Sequence, residues 1–238
     1  MEYLKNLYLL FFVFSTYIPV EKVPTFILQE VASKKMASFT LNKSQYAYQS
    51  LNSNTFDMPA ADSFSKAFEG FIMLKEAGKI KNNILTIVDF SLSSTKKRLW
   101  VIDMSSNTIL FHSLVAHGQN SGGDYAKSFS NENESFKSSL GFFTTAEVYN
   151  GAHGMSLKLD GLEKGINDRA RQRSIVVHGA DYVSNIFIRN HSRLGRSHGC
   201  PALPEELSGK IINTIKNKSC LFIYYPNQNY ISSSKLIS

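Results

Sequence analysis

Cys200 is one of only two cysteines in this chain of 238 residues, and it closes the run Ser197, His198, Gly199, Cys200 within GRSHGCPALP. A thiol within reach of an imidazole can be ionised and can attack a carbonyl carbon, and a positive surrounding lowers its pKa. Between residues 171 and 200 stand Arg171, Arg173, Arg189, Arg193 and Arg196, with Asp181 as the only acid. Such a segment favours a thiolate and a carboxylate-bearing substrate, and Arg196, inside the motif, is the first arginine to credit with substrate contact. Two histidines compete for the base. His198 lies two residues before the cysteine, and His178 ends the apolar run SIVVHGA. Residues i and i+2 share a face only in a regular strand, whereas a separate strand can hold a base rigidly against a cysteine in a turn. His178 is therefore preferred. Gly179 beside it lets the backbone approach closely, so that its carbonyl can orient the imidazole. Two other readings remain open. Cys200 and Cys220 could form a disulfide, the ordinary fate of a cysteine pair in an exported protein. Cys200, His198 and His178 could bind zinc, although this is not a usual structural zinc spacing.

The elements that must position these groups are mostly strands. ILTIVDF, RLWVIDM, TILFHSLVAH, GFFTTAEVY, SLKLDGL, SIVVHGA and CLFIYY are short runs rich in β-branched and aromatic residues. MSSNT, residues 104–108, reads as a hairpin turn between two of them. Regular helices do not separate the runs, which disfavours a parallel βαβ sheet. Phe64, Ala67, Phe68, Phe71 and Leu74 fall on one helical face, with Asp62 or Ser63 as its cap and Gly78 just past its end. PEELSGKIINTIKNK predicts a second helix, with Pro204 in the first turn and Leu207, Ile211 and Ile215 facing the core. The expected architecture is one mainly-β domain over residues 62–226, an antiparallel sandwich or barrel with peripheral helices. Residues 20–61 read as a linker or extension, and 227–238 as a frayed tail.

The ends and the charge bound the compartment. Residues 7–18, LYLLFFVFSTYI, carry no charge and follow Lys5. The run is short for a bilayer span, which needs about 20 residues, but it suits the apolar core of a secretory signal. Residues 1–19 are read as a signal peptide or membrane anchor. A net charge of +7 favours anionic partners such as an acidic cell-wall polymer, or is plain solubility charge. The arginines cluster near the cysteine and no aromatic RNA-binding motif occurs, so nucleic acid is not an expected partner. Of the other histidines, His112 and His117 cannot both face one side of a strand and read as structural. His153 and Tyr149 are candidates for lining a substrate groove.

HG at 178–179, then seventeen residues, then SHGC at 197–200 resembles the signature of the murein L,D-transpeptidases, the YkuD-type catalytic domain. The similarity extends through LTIVDFSLSSTKKRLWVID, SLVAHGQNSG, FSNENESFKSSLGFFTTAEVYNGAHGMSLKLDGLEKGIND and RSIVVHGADYVS, over residues 62–226. It implies the YkuD-like β fold, Cys200 as nucleophile, His178 as general base and acid, and the Gly179 carbonyl as orienter. Backbone N–H groups at Gly199 and Cys200 would form the oxyanion hole, and Ser197 and His198 would shape the pocket. The implied reaction is acyl transfer on peptidoglycan stem tetrapeptides. D-Ala is released, and an amine of a second stem peptide, an amino acid or an envelope protein takes its place. Water as acceptor would make the protein an L,D-carboxypeptidase, and a Cys200–Cys220 disulfide would make it a silent peptidoglycan-binding module. No metal or cofactor is implied, and the setting would be the periplasm or cell envelope. One departure stands out. Pro201 and Ala202 follow the cysteine, where many members carry an apolar residue and then Asn or Arg, so that polar substrate contact must come from elsewhere.

Overall fold

A computed structural model describes residues 43–237; the segment read as a signal or anchor, residues 1–19, and the first part of the extension lie outside the described residues. The framework is one sheet of eight strands: β1 (Ile84–Asp89), β2 (Leu99–Asp103), β3 (Thr108–Ser113), β4 (Gly141–Gly151), β5 (Gly154–Gly161), β6 (Val176–Gly179), β7 (Ala202–Leu203) and β8 (Cys220–Tyr224). Their order is β3-β2-β1-β8-β4-β5-β6-β7. The sequence-adjacent pairs β1–β2, β2–β3, β4–β5 and β5–β6 are antiparallel, as the absence of intervening helices predicts. Two pairings are parallel: β8 returns between β1 and β4 beside β1, and β7 lies beside β6. Each parallel partner is reached through a long connection that carries a helix, which a short hairpin could not provide. Beyond β3 the chain bridges Ala116 to Ala202 of β7 and Gly118 to Ser197. The two ends of the sheet therefore nearly meet, and the mainly-β, barrel-like expectation holds.

Helix α1 (residues 43–49) and the chain after it pack on the sheet: Leu51 is buried and Asn52 bridges Thr108 of β3. This part of the predicted linker is thus structural, because it covers an edge strand that would otherwise expose unpaired backbone. Helix α2 (Ala61–Glu76) buries Phe64, Ala67, Phe68, Phe71 and Leu74, the predicted face. Its cap differs from expectation. Ala60 is the N-cap, while Asp62 instead accepts from Lys66 and from the Tyr224 hydroxyl, which fastens the helix to β8. Gly70 faces Phe142 so closely that an added Cβ would lie 2.1 Å from the ring, and Phe142 stacks on Phe222 at 4.2 Å. Each fully buried ring of this kind contributes roughly 1.5–3 kcal/mol.

Helix α3 (Asn185–His191), absent from the sequence reading, is capped by Ser184 Oγ, which accepts from the Phe187 N–H. Helix α4 (Glu205–Ile215) has Pro204 as its N-cap and buries Ile211, Ile212 and Ile215, while Leu207 is only half-buried. The tail expected to fray forms α5 (Gln228–Ser233) instead. Tyr230 and Ile237 are buried, and the Tyr230 and Ser234 hydroxyls donate to the Glu163 carboxylate. A sequence rich in serine concealed this anchor, because one buried carboxylate collects donors from two distant segments, the tail and the Phe142 N–H of β4.

Candidate active site

The β6–β7 ladder fixes the relation between the two predicted catalytic groups. His178 pairs with Ala202, so Cys200 lies two residues before the partner of the histidine. Val176 is two residues before His178 on β6, on the same face, and its N–H donates to Cys200 Sγ at 3.4 Å. The thiol itself points to the Ser174 carbonyl at 3.7 Å. Cys200, Val176 and His178 line one cleft of about 620 Å³.

His178 is buried, and its Nδ1 lies 2.8 Å from the Gly179 carbonyl oxygen. A carbonyl accepts only, so Nδ1 carries the proton and Nε2 is left with its lone pair, the tautomer a base needs. Burial holds its pKa below the ordinary histidine value, the Gly179 carbonyl opposes this, and the neighbouring His153 adds to the lowering. His178 is therefore neutral near pH 7. Burial raises the Cys200 thiol above its ordinary pKa, and the Val176 N–H and the Arg173 charge offset only part of that rise.

The Ser-His-Gly-Cys turn is held by side-chain hydroxyls. Ser197 Oγ accepts from the Gly199 N–H at 3.0 Å and donates to the Cys200 carbonyl at 2.6 Å. Ser138 Oγ donates to the Gly199 carbonyl at 3.2 Å. Gly199 has φ +122°, and an added Cβ would lie 2.8 Å from the Lys137 carbonyl oxygen. Only glycine fits there. The Gly199 N–H, expected to face an oxyanion, is thus bonded to Ser197 in this structure. The Cys200 N–H takes no protein acceptor among the described residues.

His198 is exposed and its ring lies tilted against Phe136, centroids 4.6 Å apart, on the wall of the cleft. His153 sits at the tip of the β4–β5 hairpin, whose strands close at Gly151 and Gly154, and stacks on His178 at 4.5 Å. Tyr149, on the same hairpin, lines the cleft. Arg196 lines it too, with Nη1 donating to the Gln119 and Gly122 carbonyls. Of the five arginines only Arg173 and Arg196 reach the cleft; Arg171 pairs with Glu147 and Asp160 instead. Among the wall residues that the sequence reading missed are Asn133, Glu134 and Phe136. Their only signal was an aromatic residue in a polar loop.

The rival readings fare differently. Cys200 and Cys220 are both free thiols, and Cys220 lies fully buried in β8, where its side chain joins the core. The disulfide reading is therefore set aside. Among the described residues no three His, Cys, Asp or Glu side chains converge as metal ligands. His112 and His117 are structural. His112 stacks on Trp100, and His117 is buried with Nδ1 2.8 Å from Arg98 Nη2.

A mainly-β sheet thus brings a cysteine turn and a strand-borne, carbonyl-oriented histidine to the lining of one cleft. The model of the L,D-transpeptidase catalytic domain matches residues 57–224, and the chain belongs to that family. Among solved structures, it is similar to the helical cell shape determining protein Pgp2 from Campylobacter jejuni, at 17% identity, 67% of this chain, 56% of that one and a TM-score of 0.39. It is similar also to an L,D-transpeptidase from Mycobacterium smegmatis, at 12% identity, 60% of this chain, 59% of that one and a TM-score of 0.37. The chain thus spans under two thirds of either. No curated protein matches the sequence.

Proposed function

We propose that this protein is a peptidoglycan L,D-transpeptidase that works through Cys200. The observation that carries the reading is the His178 Nδ1–Gly179 carbonyl bond, which leaves Nε2 basic in the cleft that Cys200 also lines. In this scheme Nε2 takes the thiol proton as the sulfur leaves the Ser174 carbonyl. The thiolate forms a C–S bond with the carbonyl carbon of the third stem-peptide residue. The Cys200 N–H stabilises the oxyanion, and the Gly199 N–H joins it if Ser197 Oγ turns away. Imidazolium His178 then gives its proton to the departing D-Ala amine as the C–N bond breaks. An acceptor amine attacks the thioester, loses a proton to His178 and expels the Cys200 thiolate. The product is a 3–3 cross-link or an attached amine-bearing molecule. Arg196 suits the free carboxylates of such peptides, and Tyr149 and His153 face the substrate from the hairpin. The apolar run at 7–18 fits export to the cell envelope, as signal or anchor; among the described residues no helix is long and apolar enough to cross a membrane.

The test is intact-mass analysis of the full chain after exposure to a carbapenem, together with a D-Ala release assay on disaccharide-tetrapeptide. One stable adduct mapped to Cys200, absent from Cys200→Ser, and D-Ala release lost in the same variant are expected. Release that survives Cys200→Ser would overturn the reading.

A further inference from the structure

We propose that Arg173 is a positioning residue for Cys200: its guanidinium ties the cleft wall to the turn that carries the thiol and presents the positive charge that the thiolate faces. The inference rests on the reading of Cys200 as the nucleophile.

Arg173 spends its donors on one loop. Nη1 donates to the Ser130 carbonyl at 2.8 Å and to Ser139 Oγ at 2.6 Å; Nη2 donates to the Lys137 carbonyl at 2.6 Å and to Ser135 Oγ at 3.1 Å. The same Nη2 lies 3.4 Å from where a Cβ on Gly199 would stand, so the guanidinium sits against the residue before the nucleophile. The loop needs this support. Glu134 and Phe136 hold φ of 56° and 52°, in the left-handed region that non-glycine residues keep only when their surroundings impose it. Phe136 is the ring against which His198 leans, and Glu134 and Asn133 form the wall beyond it.

The charge of Arg173 is not spent on a carboxylate. All four acceptors are neutral oxygens, and among the described residues no acid forms an ion pair with it; Glu132, which attracts it at longer range, pairs with Arg169. Arg171 shows the alternative, with Glu147 and Asp160 both bonded to its guanidinium. An unpaired, half-buried guanidinium acts on its neighbours through a lower effective dielectric than water. The other titratable groups that face the cleft are His178 from β6, Tyr149 and His153 from the β4–β5 hairpin, His198 and Arg196 from the cysteine turn, Tyr182 from the segment after β6, and Glu134 from the loop. Tyr182, pushed up to about 12 by burial, and His178, held down, are neutral near pH 7. Arg173 is thus a cation that joins the wall to the turn carrying Cys200.

The test follows the rate of Cys200 alkylation by iodoacetamide against pH in the full-length protein, with the site confirmed by peptide mass mapping. Arg173→Gln keeps an amide that can still donate to the loop but removes the charge. Its titration midpoint is expected to rise by about one pH unit, with alkylation roughly tenfold slower at pH 7. Arg173→Lys keeps the charge, and Ser139→Ala removes one loop contact while leaving the guanidinium. Both should hold the wild-type midpoint within a few tenths of a unit. A wild-type midpoint in Arg173→Gln would overturn the proposal, as would a shift in Ser139→Ala equal to that in Arg173→Gln. Failure of the underlying reading looks different: D-Ala release would persist in Cys200→Ser whatever Arg173 does.

Discussion

The two cysteines occupy opposite kinds of place, and the contrast shows what turns a thiol into a candidate nucleophile. Cys220 sits inside β8, paired with Leu85 of β1 and Thr144 of β4. Burial drives its pKa far up, and the Glu163 carboxylate drives it further. Cys200 also meets a burial penalty, but there the nearest influences are an N–H and a guanidinium, which work the other way. Burial alone does not separate the two sulfurs; the sign of the neighbouring charge does. The histidines divide in the same manner. His178 meets a carbonyl and keeps a free lone pair toward a cleft. His117 meets the Arg98 guanidinium at the same Nδ1 position, so its lone pair is consumed in the interior.

Substitutions can break this contrast. Cys200→Ala should remove D-Ala release by three orders of magnitude or more, on the order of what loss of a covalent nucleophile costs, while Cys220→Ala leaves kcat unchanged. Equal losses in the two variants would end the distinction. His178→Ala should cost roughly 10²–10⁴ in kcat, and His198→Ala less, because that ring leans on Phe136 instead of meeting the backbone carbonyl. A larger loss in His198→Ala would move the base to the turn.

The interior histidine is tested by pH. Burial and Arg98 bring His117 down to about 4, against 6.5 for an unperturbed histidine. The unfolded chain therefore takes up this proton first. Its contribution is complete above about pH 6.5 and is lost as pH falls toward about 4, by up to about 3 kcal/mol. In His117→Gln, whose amide oxygen can accept from Arg98 without titrating, denaturant-unfolding curves across pH 7 to 4 should show a shallower acid decline. An unchanged slope would assign that decline to other groups.

Smaller effects sharpen the comparison. Gly199→Ala should lower kcat by about tenfold or more, since the new methyl meets the Lys137 carbonyl in a backbone conformation that alanine resists. Cys220→Ala should lower stability by about 1 kcal/mol, through packing alone, read as a shifted denaturation midpoint.

Much of the fold was legible because alternating and helical apolar patterns are local. The strand runs, the α2 face and the turn at 104–108 all follow from side chains within a few residues of one another. The two-residue β7, the parallel return of β8 and the docking of α5 were not, because their stabilising partners lie elsewhere in the chain. Tyr230 and Ser234 show this best, since nothing in a serine-rich tail announces that Glu163 will receive them.

The same division runs through the site. By itself the sequence determined which groups could react: a cysteine behind a glycine, a histidine at a strand end with glycine beside it, and a surplus of arginine. Those are properties of residue type and short spacing. Tertiary structure alone decided which arginine packs against the cysteine turn, which cysteine lies near a cation and which near an anion, and which histidine keeps its lone pair. Such choices depend on through-space distances of a few ångströms between segments brought together only by the closing of the sheet, and electrostatic influence follows that distance, not separation along the chain.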